Sequence, residues 1–179
     1  MRKRKVILVF GTRPEAVKMC PLVLELQKSG EIQTQVCLSG QHRQMLDQVM
    51  GIFGIRAEHD LDIMRPGQTL TGITMLVLEK FQEVLRKEKP DLVLVHGDTS
   101  TSFAAALAAF YQKVPVGHVE AGLRTYDRYS PFPEEMNRNL TAKLALLHFA
   151  PTVGNQENLA KENITQHVYV TGNTVIDAF

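Results

Sequence analysis

"DLVLVHGDTSTSFAAALAAFYQKVPVGHVEAGLRT", residues 91 to 125, spells a strand, a helix and a second strand in one continuous run. "DLVLVHG" (91–97) and "VPVGHVE" (114–120) are short β-rich apolar runs of the kind buried inside a sheet. Between them "TSTSFAAALAAFYQK" (99–113) is helical, and its "AAALAA" face is small enough to let the helix approach a sheet closely. Strands joined through a helix in this way lie parallel, with a right-handed crossover.

The same alternation extends in both directions. "KVILVF" (5–10) and "TQVCLSG" (34–40) are strands, separated by a helix over 14–30 that closes on Gly30. Helices are predicted over 41–54 and 69–89, the second stopped by Pro90-Asp91, with 55–68 irregular around a Pro66-Gly67 turn. After a polar loop (121–133) come a helix over 133–147, a short strand "HFAP" (148–151), a helix over 153–163 and a last strand "HVYVTGN" (167–173). Strict alternation argues for an α/β fold, a Rossmann-like doubly wound parallel sheet with helices on both faces. In such sheets ligands bind beyond the carboxyl ends of the strands, near the switch in strand order.

Bulk properties narrow the function. The 179 residues, 44% of them hydrophobic and 22% charged, suit one packed domain with at most a short appendage. A net charge of +1, with Lys and Arg spread along the chain, argues against nucleic-acid and anionic-membrane partners. "RKRK" (2–5) reads as a solvated end, and the "VILVF" after it is too short for a signal peptide and lacks a cleavage site. No stretch approaches a membrane span. Cys20 and Cys37 read as buried free thiols of a reducing compartment, so a cytoplasmic protein is expected and the sequons at Asn139 and Asn163 carry no meaning.

Three strand tips carry the chemistry. In "FGTRPEAVK" Gly11 is expected to permit an unusual turn, and the following helix start, with Arg13 and Lys18, favours an anion. Neither G-x-G-x-x-G nor G-x-x-x-x-G-K-[ST] occurs, which removes the common dinucleotide and P-loop routes. "HGDTST" (96–101) ends in Asp98, which suits either helix capping or catalysis. "HVEAGLRT" (118–125) puts Glu120 at a third tip, where an unpartnered carboxylate is costly. In the loop beyond it Gly122 and Arg124 are expected to turn over an anionic ligand, and "SPFPEEMNR" supplies Glu134 and Glu135. Those two suit the first turn of a helix, while Glu134 is also close enough in sequence to fold over the same crevice. Carboxylates gathered in a partly dry cleft raise one another's pKa values, as acid/base chemistry near neutral pH requires. His96, Asp98, His118 and Glu120, paired at i, i+2, are an alternative divalent-metal set, though no H-E-x-x-H or Cys cluster accompanies them. His42, His148 and His167 read as structural.

At these residues the chain resembles the bacterial non-hydrolysing UDP-N-acetylglucosamine 2-epimerases. The matching stretches are "FGTRPEAVKMCPLV", "QHRQMLDQV", "PDLVLVHGDTSTSFAAALAAFYQKVPVGHVEAGLRT", "YSPFPEEMNR" and "VTGNTVIDA", in the family's order along nearly the whole chain. The resemblance implies interconversion of UDP-GlcNAc and UDP-ManNAc without metal or redox cofactor, through elimination and re-addition of UDP and a 2-acetamidoglucal. The ManNAc would serve cell-surface polysaccharide. It carries acid/base roles to Asp98, Glu120 and Glu134, and nucleotide or active-site contacts to Arg13 and Lys18. Gln41, His42 and Gln44 match a second, regulatory UDP-GlcNAc site, near which this chain has Gly67 where some family members carry Arg.

The family has two Rossmann-like domains in the glycosyltransferase-B arrangement, with substrate between them. By that resemblance residues 1–168 are the N-terminal domain, 169–179 begin the connection, and the missing partner is a C-terminal domain. The domain alone is then expected to be inactive, and a homodimer is expected, with the long helix from residue 69 offering an apolar face. A hydrolysing relative that releases ManNAc and UDP, and a non-catalytic binding or dimerisation module, are the competing readings.

Overall fold

The computed structural model describes residues 2–40 and 43–178. Seven strands, β1 (Arg4–Phe10), β2 (Ile32–Leu38), β3 (His59–Asp60), β4 (Leu92–His96), β5 (Val116–Val119), β6 (Leu147–Ala150) and β7 (Val168–Val170), form one sheet. Their order is β3-β2-β1-β4-β5-β6-β7 and every pairing is parallel. Among the described residues the α-helices are α1 (Arg13–Lys28), α2 (Arg43–Ile52), α3 (Leu70–Glu88), α4 (Ser100–Tyr111), α5 (Glu134–Leu144) and α6 (Val153–Lys161). The Rossmann-like doubly wound sheet is the one the alternation predicted.

Side chains of β1 show how the sheet holds two helical layers. Ile7 and Val9 enter one core with α3 and α4, while Val6, Leu8 and Phe10 enter the other with α1 and α2. Alternation along the strand sends successive side chains to opposite faces, so one apolar run serves both layers. On α4, Ala104, Ala105, Ala106, Ala108 and Ala109 are all buried, and this small face packs between the sheet and α3 as its composition suggested. Threonines at residues 12, 69, 99 and 152 cap α1, α3, α4 and α6 through their hydroxyls. Each cap contributes about 1 kcal/mol.

Three local expectations are corrected. The segment 55–68 is not wholly irregular, because His59–Asp60 pairs with Cys37–Leu38 as an edge strand. Helix α5 stops at Leu144: Ala145 is already extended, and the amide of Leu146 donates to the Val116 carbonyl as the chain enters β6. The apolar face of α3 (Ile73, Val77, Phe81, Leu85) is spent inside the core, leaving Met75 as its main exposed apolar residue. Beyond β7, Ile176–Ala178 forms a 3-10 turn against α1.

Cys20 and Cys37 are buried free thiols, and burial pushes Cys20 up to about 12 and Cys37 higher still. His148 is buried in β6, and that burial, with Arg124 nearby, lowers it to about 4. Among the described residues no helix is long and apolar enough to cross a membrane.

Candidate active site

Strand order reverses between β1 and β4, so the tips of β1, β4 and β5 stand side by side. Glu120 follows β5 directly and has φ 63, a left-handed backbone that costs a non-glycine residue about 1–3 kcal/mol. Three elements meet its carboxylate. Lys18 Nζ donates to Oε1 at 2.5 Å, His96 Nε2 faces Oε2 at 3.4 Å, and Asn173 Nδ2 donates to Oε1 at 3.2 Å. His96 is buried, and desolvation holds it below its ordinary value against the pull of Glu120 and Glu15.

Asp98 is held from α5. Arg138 Nη2 lies 2.8 Å from Asp98 Oδ2, and Asn137 Nδ2 donates to the Asp98 carbonyl at 2.9 Å. Burial raises the Asp98 carboxyl above its ordinary range; Glu134, Glu120 and Glu15 add to the rise, and Arg138 opposes it. Glu134, half-buried in the first turn of α5, pushes Asp98 up through its charge from close by. Glu135 next to it does not. It is buried, and although burial raises its carboxyl, the amides of Thr125 and Tyr126 and the Arg138 guanidinium hold it low. Its work is to fasten the 121–133 loop.

The tip of β1 differs from expectation. Gly11 has no left-handed φ; a Cβ there would fall 1.7 Å from Ser39 Oγ, so the glycine provides close approach rather than an unusual turn. The amides of Gly11 and Thr12 already donate to Glu15 Oε2, at 3.0 and 2.8 Å. The other oxygen of Glu15 accepts from the hydroxyls of Thr99 and Ser102 at the start of α4. Arg13 is exposed in the first turn of α1, and Lys18 turns inward to Glu120.

Arg124 is corrected outright. Its side chain is fully buried and forks onto Glu162 at the end of α6, with Nε–Oε1 2.6 Å and Nη2–Oε2 3.0 Å. Gly122, at φ +89, packs so tightly on the Asn155 backbone that a Cβ would meet its carbonyl oxygen at 2.2 Å. Both residues lock the loop to α6 rather than face a ligand. The four-residue metal set does not assemble either: His118 is fully buried with Nε2 2.7 Å from the Gly97 carbonyl, and desolvation lowers it to about 3. Among the described residues no three His, Cys, Asp or Glu side chains are placed to hold a metal. Gln44 is exposed in the first turn of α2, Gly67 sits in a left-handed turn, and Gln41 and His42 lie outside the described residues.

Glu15, Asn137, Arg138 and Asn173 were not singled out from the sequence. Only Glu15 left a local signal, the T-x-x-E capping box that begins at Thr12.

The pattern of two strand-tip carboxylates and one at a helix start, with a lysine and an arginine, has relatives. A family model described as UDP-N-acetylglucosamine 2-epimerase matches residues 24–179. The chain belongs to this epimerase family. The UDP-N-acetylglucosamine 2-epimerase of Neisseria meningitidis is 60% identical over 175 residues, 97% of this chain and 47% of the relative. That of Bacillus subtilis is 58% identical over 179 residues, 99% of this chain and 47% of the relative. The chain therefore spans about half the length of these curated relatives, matching their N-terminal domain.

Solved epimerases agree in three dimensions. The Neisseria meningitidis enzyme bound to UDP-GlcNAc superposes with a TM-score of 0.95, covering 97% of this chain and 47% of that one at 60% identity. The Methanocaldococcus jannaschii UDP-GlcNAc 2-epimerase in complex with UDP-GlcNAc and UDP gives 0.92 at 38% identity, covering 97% and 48%. MurG of Acinetobacter baumannii, at 15% identity and a TM-score of 0.64 over 96% of this chain and 45% of that one, shares the fold alone.

Proposed function

We propose that this chain is the N-terminal domain of an isomerase that interconverts UDP-GlcNAc and UDP-ManNAc. The observation that carries the reading is that Asp98, at the end of β4 in an epimerase-family domain, feels the charges of Glu120 after β5 and Glu134 at the start of α5. In the reaction a carboxylate takes the C2 proton, the C–H electron pair becomes the C1–C2 double bond, and the C1–O bond to UDP breaks. A 2-acetamidoglucal and UDP remain in the site. A second carboxyl then delivers a proton to the opposite face of C2, and a UDP oxygen re-forms the bond to C1. The cycle is neutral in electrons and protons, so it needs no redox partner.

The geometry supplies what this chemistry asks for. Asp98 keeps its proton to higher pH than an ordinary aspartate, which suits proton delivery. Glu120 follows β5 and Glu134 opens α5, each near enough to act on Asp98 electrostatically, and exposed Arg13 offers positive charge to the departing diphosphate. Because the chain spans only half of its relatives, the facing wall belongs to a C-terminal domain, and the domain alone is inactive. Cytoplasmic location, homodimerisation and delivery of ManNAc to surface polysaccharide complete the reading; pairing would use a surface other than the buried face of α3.

The test is incubation of UDP-GlcNAc with the complete gene product in D2O. Deuterium at C2 in both epimers, with UDP still attached, is expected. Free ManNAc and UDP as the main products would overturn the reading in favour of a hydrolysing enzyme, and a complete gene product that binds UDP-sugar without exchange would favour a binding module.

A further inference from the structure

We infer that Asn173 is a positioning residue for Glu120, through which the segment after β7 acts on the catalytic crevice. The inference rests on the proposed epimerase reading and deepens it. It begins with the path of the chain. β7 lies two strands beyond β5, yet Gly172, at φ +80, turns the backbone back, and Ile176–Ala178 ends against α1 on the other side of Glu120. Residues 171–178 therefore pass over the strand tips, and Asn173 is where they touch the carboxylate.

Both ends of the Asn173 side chain are committed. Its Oδ1 accepts from the Val175 amide at 3.1 Å, so its amide nitrogen must face outward, and that nitrogen donates to Glu120 Oε1 at 3.2 Å. The Asn173 carbonyl in turn accepts from Ile176, closing a compact turn around the residue. Lys18 shares the same carboxylate oxygen, but its four-carbon stem is a poor geometric constraint. Asn173 has one short stem and two fixed bonds. With His96 facing the other oxygen, it fixes where Glu120 Oε1 points, and a displacement of the 171–178 segment necessarily displaces that donor. An aspartate at 173 would instead set a second carboxylate against Glu120, and an alanine would remove both the donor and the acceptor for Val175 while keeping the backbone bond from Ile176.

Two measurements test this. In the chain itself, the bonded side-chain amide proton of Asn173 should resonate well downfield of its partner, and Glu120→Ala should collapse that separation. Val175 should lose amide protection in Asn173→Ala. In the complete gene product, Asn173→Ala should lower kcat for C2 exchange about tenfold with KM within about twofold, and Asn173→Asp at least as far. Added to Glu120→Gln, Asn173→Ala should cause no further loss, because residues that act as a unit are not additive. An unchanged kcat, a fully additive double variant, or amide resonances indifferent to Glu120 each overturns the proposal. If the wild-type gene product shows no C2 exchange, the functional reading falls, and the resonance measurement decides the Asn173–Glu120 contact alone.

Discussion

Arg124 and Glu162 offer the most direct contest between a ligand-binding arginine and a structural one. The Arg124 side chain has no exposure, Glu162 retains 19%, and two bonds of 2.6 and 3.0 Å join them. Removing the acid strands a buried guanidinium whose other bond goes only to the Leu123 carbonyl. Glu162→Ala should therefore cost about 3–4 kcal/mol, the range for orphaning a buried charge. Arg124→Met keeps much of the stem volume and leaves a carboxylate that still reaches water, so about 2–3 kcal/mol is expected. The double variant should be more stable than the sum of the two by about 2 kcal/mol, since only the first change breaks the pair. Urea unfolding followed by circular dichroism measures all three, and the larger loss should appear as a fall in Tm of roughly 10 °C for a domain of this size. Strict additivity, or a Glu162→Ala variant within about 0.5 kcal/mol of wild type, would refute the structural assignment. So would a loss of UDP-sugar binding confined to the Arg124 variant at unchanged stability.

Two more expectations are open to measurement. Gly122→Ala combines a left-handed φ with a backbone collision at 2.2 Å, so it should cost about 3–5 kcal/mol, from about 1–2 for the backbone and the rest for overpacking; a Tm scan showing a loss below about 1 kcal/mol would contradict it. Acid should weaken the fold through His118, whose folded value of about 3 lies below its unfolded 6.5. The unfolded chain binds the extra proton between those values, so stability is full above pH 6.5 and falls as pH drops towards 3. By pH 5 the loss from His118 is about 2 kcal/mol, and His118→Asn should flatten that part of a urea-stability profile.

Legibility in the sequence followed the range of the interactions. The apolar runs of β1, β4 and β5 and the Ala-rich face of α4 are local patterns, and they predicted the doubly wound sheet directly. His59–Asp60 carries no such pattern, because its strand character comes from pairing with Cys37–Leu38. Leu146 and Leu147 continued the helical spacing of α5, yet the chain turns extended at Ala145 to feed β6. At the site, Asp98 and Glu120 were singled out because strand tips are known places to look, and Glu134 because it follows the same loop closely. Their supports were not, since Arg138 reaches Asp98 from 40 positions away and Glu15 reaches Ser102 across 87. Arg124 misled for the opposite reason: adjacency in sequence to Glu120 says nothing about direction, and its fork turns away to α6.

The buried carboxylate of Glu15 has a consequence for how this fold is used. Helices α1 and α4 belong to opposite layers, and Glu15 joins their first turns across the top edge of the sheet, between β1 and β4. Ser39, Thr101 and Ser102 are buried around it. Doubly wound sheets ordinarily leave a gap at this point for a ligand to enter. Here the gap is keyed shut from within, by a negative group already satisfied by the chain's own amides and hydroxyls. Asp98 and Glu120 stand beside this closed point, at the ends of β4 and β5, so a ligand reaching them meets the rim of the crevice and not the gap between β1 and β4.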